Sequence, residues 1–127
     1  MTPWTPDDLA LLTGARTLLL TAGDDGHPGV EVGMVLLGGE LYVRAHRGIR
    51  SRWYQAARDH GHGRVRVGAV TRDVLLTTGD GGPAHEIDAA YRSKYGRTAD
   101  AFVTGPVARA ATVRIRPVPS MADGAAV

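Results

Sequence analysis

The most distinctive chemical feature of the sequence is a concentration of arginine side chains in one segment. Fourteen of the 15 basic residues are arginine, and eight of these lie between positions 44 and 72, where Asp59 is the single acid. The segment has a formal charge of +7, whereas the remainder, with seven basic and 12 acidic residues, has −5. Guanidinium groups bind phosphate and carboxylate through paired hydrogen bonds. The segment therefore predicts a site for an anionic ligand.

Within this segment, residues 42–57 have the pattern of a strand, a glycine loop and the start of a helix. Free amides in the first helical turn favour a bound anion, and aromatic side chains offer flat surfaces to a ring. The predicted ligand contacts combine basic, hydroxyl and aromatic side chains: Arg44, Arg47, Arg50, Ser51, Arg52, Trp53 and Tyr54. The alternative interpretation is that Trp53 anchors the helix on a sheet and that the arginines are only solvated.

A second group of reactive side chains comes from a predicted hairpin. Gly38 and Gly39 separate residues 30–37 from residues 40–45 and favour a two-residue turn. The register that follows places Glu31 opposite His46, with their Cβ atoms roughly 5 Å apart. A carboxylate at this distance would orient the imidazole, so the pair predicts acid–base catalysis beside the space left by Gly33. An ordinary exposed ion pair is the alternative.

The elements that position these residues follow from the periodicity of the chain. Capping signals predict a helix from Thr5 to about Gly14, and further helices are expected at 51–59 and 86–95, with a less regular stretch to 108. Strands are expected at 17–21, 30–37, 40–45, 64–70, 73–78 and 112–116, with a turn around residues 71–72. Because the strands follow one another without alternating helices, an α+β fold with an antiparallel sheet or barrel is predicted.

Other features narrow the interpretation. Residues 1–117 are expected to form one domain, followed by a flexible tail at 118–127. The chain has no cysteine, and two nearby histidines without a third ligand do not make a metal site, so none is predicted. Neither a membrane helix nor a signal pattern is evident, which predicts a cytoplasmic protein without membrane contact. Tyr91, Lys94 and Tyr95 share a helix face that is expected to pack on the barrel.

Three motifs resemble the DUF2255 family over roughly residues 6–117. The motifs are Tyr42-Val43-Arg44 with Arg47-Gly48 and Ser51-Arg52-Trp53-Tyr54; Ala90-Tyr91-Arg92 with Lys94-Tyr95-Gly96; and residues 111–117. The resemblance implies a six-stranded antiparallel split β-barrel with two or three peripheral helices. It also implies kinship with pyridoxamine-phosphate-oxidase-like proteins and deazaflavin-dependent reductases. In those relatives the cofactor phosphate lies near the step that matches residues 44–54, often at a homodimer interface.

One position departs from the family pattern, and it leaves two functions open. Where members commonly carry tryptophan, this chain has Gly33, which would open a pocket facing Glu31. The resemblance favours an oxidoreductase that binds FMN or F420 and acts on a small organic substrate, as a homodimer. The alternative is a cofactor-free cyclase, isomerase or other acid–base enzyme that uses Glu31 and His46. Nucleic-acid binding is disfavoured because the rest of the chain is acidic.

Overall fold

A computed structural model describes residues 4–23, 29–79 and 82–118, apart from the side chains of residues 100 and 101. The expected tail at 118–127 lies outside these residues except for Val118, whose amide donates to the Asp73 carbonyl at 3.0 Å. None of the described helices is long and apolar enough to cross a membrane.

The described chain contains six strands and five α-helices. The strands are β1 Thr17–Ala22, β2 Val30–Leu37, β3 Glu40–Arg44, β4 His62–Val67, β5 Val70–Thr78 and β6 Thr112–Pro117. The helices are α1 Pro6–Gly14, α2 Arg52–His60, α3 Ala84–Tyr95, α4 Thr98–Phe102 and α5 Pro106–Ala110, and a 3-10 helix at Gly48–Arg50 precedes α2. The count of helices exceeds the expected two or three because the stretch after α3 forms two short helices.

The strands close into one antiparallel barrel in the order β1-β2-β3-β6-β5-β4, with β4 paired to β1. This confirms the predicted six-stranded antiparallel barrel. Alternate residues of each strand point inward, as the two-residue period of a strand requires. The interior is therefore filled with apolar side chains, among them Leu18, Met34, Leu41, Val43 and Ile115. Burial of this apolar surface is the main favourable contribution to folding.

The hairpin of β2 and β3 has the predicted register near its turn but not at its open end. Pairs run from Leu37 and Glu40 to Met34 and Val43. Beyond that point the two strands diverge, because β2 continues along β1 and β3 ends at Arg44. The expected pairing of Glu31 with His46 is therefore wrong: Glu31 lies opposite Leu19 of β1.

The turn between β4 and β5 differs from the prediction by a few residues. Val67 pairs with Val70, so the turn consists of Gly68 and Ala69 rather than residues 71 and 72. Gly68 has φ +60°, a left-handed conformation that glycine adopts without steric cost. The strands therefore meet where a glycine allows a tight turn.

Helix α3 covers one outer face of the barrel. Ile87 and Tyr91 of the helix pack with Val35 and Tyr42 of the sheet to form a second, smaller core. Val35 and Tyr42 belong to the face of the β2–β3 hairpin that points away from the barrel interior. Most of that face is thus a packing surface for α3. The predicted contact face of this helix is confirmed by its hydrogen bonds, which include one from the Tyr91 hydroxyl to the Gly33 carbonyl at 3.0 Å.

Candidate functional site

The eight arginines of residues 44–72 do not form one cluster, because they contact different parts of the fold. Three form exposed or half-exposed ion pairs, namely Arg58 with Asp59, Arg64 with Asp73 and Arg72 with Asp8, at 3.1, 3.1 and 3.3 Å. Arg66 donates to the carbonyl of Gly68 at 3.1 Å. The positive charge of the segment is therefore spread over α2, β4 and β5 and is partly neutralised.

Arg44 does not contribute to a ligand site, contrary to the prediction. Its side chain is fully buried and donates to Thr112 Oγ1 at 3.1 Å, to the Val103 carbonyl at 2.9 Å and to the Ala84 carbonyl at 3.2 Å. It also forms an ion pair with Asp88. These contacts leave the guanidinium enclosed by protein, so it cannot reach a cofactor phosphate. The arginine is structural because its guanidinium links β3 to Asp88 of α3.

Asp88 is a residue that reasoning from the sequence missed. Its buried carboxylate receives hydrogen bonds from Arg44 and from Arg109 of α5. Burial raises the pKa of Asp88, but the hydrogen bonds and charges of Arg109 and Arg44 outweigh that effect, and the pKa lies below its usual value. In a sequence, an aspartate on the apolar face of an amphipathic helix indicates a buried ion pair of this kind. Its partners lie 44 and 21 positions away and cannot be read from local sequence.

Three arginines of the predicted set have no partner in the part of the chain that the structure describes. Arg47, Arg50 and Arg52 are exposed, and their side chains form no hydrogen bond or ion pair with the described part of the chain. They lie in and beside the 3-10 helix that leads into α2. Ser51 is the N-cap residue of α2 but makes no capping hydrogen bond. Three charges that no described residue neutralises, together with a helix N-terminus, are therefore concentrated in six residues.

Exposed apolar side chains adjoin these arginines. Ile49, Val107 and Phe102 are 54, 60 and 47% exposed. Val107 lies so close to Gly48 that a Cβ there would be 2.5 Å from its side chain, which explains the need for glycine. The His46 ring contacts Phe102 edge-on, with centroids 5.1 Å apart. We call residues 46–52 together with Phe102 and Val107 the arginine surface.

Trp53 and Tyr54, the two aromatic residues predicted to contact a ligand, differ in how deeply they are buried. Tyr54 is 4% exposed and belongs to the barrel core, so the expectation that it borders a ligand is wrong. It lies on the face of α2 that is directed at the barrel. Trp53 is half-buried and packs against the same core, as the alternative interpretation of the sequence anticipated.

The structure does not bring Glu31 and His46 together. The space next to Gly33 is filled by Tyr95: a Cβ at Gly33 would lie 3.1 Å from the phenol oxygen. Glu31 is exposed and lines a groove of about 270 Å³ with Thr17, Leu19, Arg66, Val67 and Gly68. His46 belongs to the arginine surface. The predicted pocket for acid–base chemistry is therefore absent from the described residues, which also contain no group of three histidines or carboxylates able to hold a metal.

The fold of this chain is similar to that of several solved structures. Similar crystal structures include a candidate pyridoxamine 5′-phosphate oxidase from Listeria innocua, with 18% identity, a TM-score of 0.59 and coverage of 88% of this chain and 90% of the other. The heme storage protein HutZ of Vibrio cholerae has 14% identity, a TM-score of 0.61 and coverage of 94 and 92%. An FAD-binding protein of Mesorhizobium loti has 21% identity, a TM-score of 0.55 and coverage of 92 and 90%.

These structural similarities establish a shared fold, and the family follows from the sequence. No curated protein matches the chain. The model of a family described as "uncharacterized protein conserved in bacteria" matches residues 15–115, which comprise most of the barrel and its helices. This protein therefore belongs to the DUF2255 family.

Proposed function

We propose that the protein binds FMN or F420 on the arginine surface and acts as an oxidoreductase on a small organic substrate. The observation that carries the proposal is the set of three exposed arginines, Arg47, Arg50 and Arg52, which have no partner in the described chain and lie beside exposed apolar side chains. Each cofactor combines a flat ring system with phosphate, so one surface must offer both cations and apolar contacts.

The chemistry of the donors fits such a ligand. Guanidinium groups bind phosphate in a bidentate manner, and the first amides of α2 have no acceptor within the helix. Ser51, which is only 8% exposed, adds a hydroxyl that is not used as a cap. Ile49, Val107 and Phe102 would contact the ring. When bound, the cofactor supplies hydride transfer, while the residues of this chain hold its phosphate and cover one part of its ring.

The named ligands of the similar structures support the proposal at the level of ligand class. FAD and heme both pair a planar conjugated ring with anionic groups. A barrel of this fold thus accommodates flat, anionic cofactors in other proteins. In this chain the arginine surface is the region whose side chains match that class.

We also propose that the protein is a homodimer with the cofactor near the interface. Exposed apolar side chains that lie together, as Ile49, Phe102 and Val107 do, are typical of a surface that contacts another molecule. A second copy and the cofactor together would cover these side chains. Glu31 and His46 are not proposed as a catalytic pair, because the fold separates them.

Titrations of the protein with FMN, F420 and hemin test the proposed site. Wild-type protein is expected to bind FMN or F420 at micromolar concentrations. Binding is measured by the quenching of the ligand's fluorescence. The variant with Arg47→Gln, Arg50→Gln and Arg52→Gln should lose affinity by at least about 100-fold, because the loss of only two charged hydrogen bonds of about 1.5 kcal/mol each already has this effect.

Arg64→Gln is the matched control, because Arg64 is also exposed but is paired with Asp73. Its affinity should equal that of wild type. Failure of wild type to bind either cofactor at tens of micromolar would refute the proposal. Saturable binding of hemin in place of both would refute the choice of cofactor.

A further inference from the structure

Lys94 occupies an unusual position for a lysine. It is the single lysine of the chain and lies in the last turn of α3, half-buried against β2. Its Nζ donates to the Met34 carbonyl at 2.8 Å and lies 3.6 Å from Met34 Sδ. It is also 5.3 Å from the centroid of the Tyr95 ring. The amine is therefore held in place by backbone and ring contacts.

A second cation shares this environment. The guanidinium carbon of Arg16 lies 5.0 Å from the centroid of the same Tyr95 ring. Neither Arg16 nor Lys94 forms an ion pair with the described part of the chain. Two positive charges thus adjoin one aromatic ring, and no carboxylate among the described residues neutralises them. Arg16 is exposed, so its guanidinium can receive an anion from solvent.

This environment favours the neutral form of the amine, which is the nucleophilic form, more than solvent does for an exposed lysine. Burial lowers the pKa of Lys94, and the charge of Arg16 lowers it further, so a larger share of the amine is neutral near pH 7. Desolvation and a neighbouring cation are the conditions that activate lysine for reaction with carbonyl compounds. A neutral amine retains N–H groups that can donate to the Met34 carbonyl, while its lone pair is directed away from that oxygen.

The phenol of Tyr95 completes the cluster. It accepts a hydrogen bond from the Met34 amide at 2.9 Å and lies 3.0 Å from the Met34 carbonyl oxygen. Burial raises the pKa of Tyr95, so the phenol stays protonated at neutral pH. It therefore adds no negative charge that would neutralise Arg16 and Lys94.

We propose that Lys94 and Arg16 form a second site, which binds a small aldehyde or ketone carrying a carboxylate or phosphate. Arg16 binds the anionic group, and the lone pair of Lys94 Nζ attacks the carbonyl carbon. A C–N bond forms as the carbonyl oxygen takes up a proton, and loss of water from the carbinolamine gives an imine. The step is a condensation, so it requires no oxidant or reductant. None of these residues belongs to the arginine surface.

Reductive trapping tests this site. The protein is incubated at pH 7 with glyoxylate, an aldehyde bearing a carboxylate, or with propionaldehyde, which has no charge. Cyanoborohydride then reduces any imine, and peptide mass spectrometry locates and times the adducts. With glyoxylate, Lys94 should be modified about tenfold faster than the side chain of N-acetyl-lysine under the same conditions. Lys94→Arg should remove the internal adduct and leave modification of the N-terminal amine.

A ratio of rates isolates the anion-binding role of Arg16. In Arg16→Gln, the rate with glyoxylate divided by the rate with propionaldehyde should fall about fivefold, because only glyoxylate uses the guanidinium. The ratio is insensitive to a change in the basicity of Lys94, which affects both aldehydes. Arg97→Gln, which removes another exposed charge just after α3, should leave the ratio unchanged. Modification of Lys94 no faster than free lysine, or an unchanged ratio in Arg16→Gln, would overturn the proposal.

Discussion

At the scale of single residues, the buried ion cluster of Arg44, Asp88 and Arg109 organises the outer layer of the protein. Asp88 is 1% exposed and bridges an arginine of β3 to one of α5. A buried charge costs several kcal/mol unless it is paired and hydrogen-bonded. The cluster meets this condition, and it ties three elements together at one point. The arginine in the Tyr42-Val43-Arg44 motif is thus a structural residue.

Removal of the Asp88 charge is expected to destabilise the protein strongly. Asp88→Asn leaves Arg44 buried without a counter-charge, which costs about 3–5 kcal/mol of unfolding free energy. Asp73→Asn removes an ion pair whose side chains are about two-thirds exposed, and it should cost less than about 1 kcal/mol. Urea denaturation at pH 7 measures both. Equal effects of the two substitutions would contradict the role assigned to Asp88.

The same residue predicts a dependence of stability on acid. The pKa of Asp88 in the folded state lies below its usual value of 3.8, because Arg109 and Arg44 outweigh the opposing effect of burial. The unfolded chain therefore binds the proton more tightly, and this contribution to stability is complete above about pH 5 and is lost as the pH falls below about 4. Denaturation between pH 5 and 3 should show a shallower decline in Asp88→Asn than in wild type. If the stability of Asp88→Asn fell with pH as steeply as that of wild type, the low pKa of Asp88 would be contradicted.

At the scale of elements, the contact between β2 and α3 determines whether a pocket exists beside the barrel. Gly33 leaves space on the strand, and the helix fills it with Tyr95, whose hydroxyl contacts the backbone of Met34. The other end of the β2–β3 hairpin opens because β3 ends at Arg44 and the chain enters the 3-10 helix. Helix packing and strand divergence together separate residues that a simple hairpin would have paired.

A methyl group at Gly33 should disturb this contact. The added Cβ of Gly33→Ala would lie 3.1 and 3.2 Å from the Oη and Cζ atoms of Tyr95, so the phenol must shift. Overpacking of this kind costs about 1–3 kcal/mol. Gly14→Ala is the control, since nothing lies within 4 Å of its Cβ and the change should be neutral or slightly stabilising. Thermal unfolding compares the two, and equal midpoints would show that Tyr95 does not occupy the space.

At the scale of the whole molecule, the fold converts a basic segment into a localised site. Five of the eight arginines of residues 44–72 acquire partners in the described part of the chain, and the other three, which have none there, remain together at the approach to α2. The exposed apolar side chains of α4 and α5 are brought to the same place, although they lie 50 to 60 positions later. Charge and apolar surface are combined there only by the tertiary structure.

The proposed homodimer is tested by mass in solution. Light scattering coupled to gel filtration should give twice the monomer mass for wild type, because a second copy covers Ile49 and Val107. A charge at this position should weaken the association, so Val107→Glu is expected to elute at monomer mass. Thr71→Glu, at an exposed position on the strand β5, should remain dimeric. A monomeric wild type, with or without FMN, would contradict the proposal.

Local signals in the sequence determined the elements and the class of fold. Thr5 and Pro6 mark the start of α1, Gly38 and Gly39 set the register of the first four pairs of their hairpin, and Gly96 ends α3. Each of these depends on backbone conformation within a few residues, which side-chain type constrains directly. The motifs were also sufficient to indicate the DUF2255 family, since its pattern is itself a property of the sequence.

The composition of the candidate site was decided by contacts between distant parts of the chain. Arg44 and Arg47 are both basic and only three positions apart, yet one is buried against Asp88 and the other is exposed, with no partner among the described residues. Glu31 and His46 were separated because the barrel gives β2 and β3 different neighbours beyond Met34 and Val43. Burial and ion pairing depend on which elements meet, and only the closed barrel with α3 packed on it specifies that.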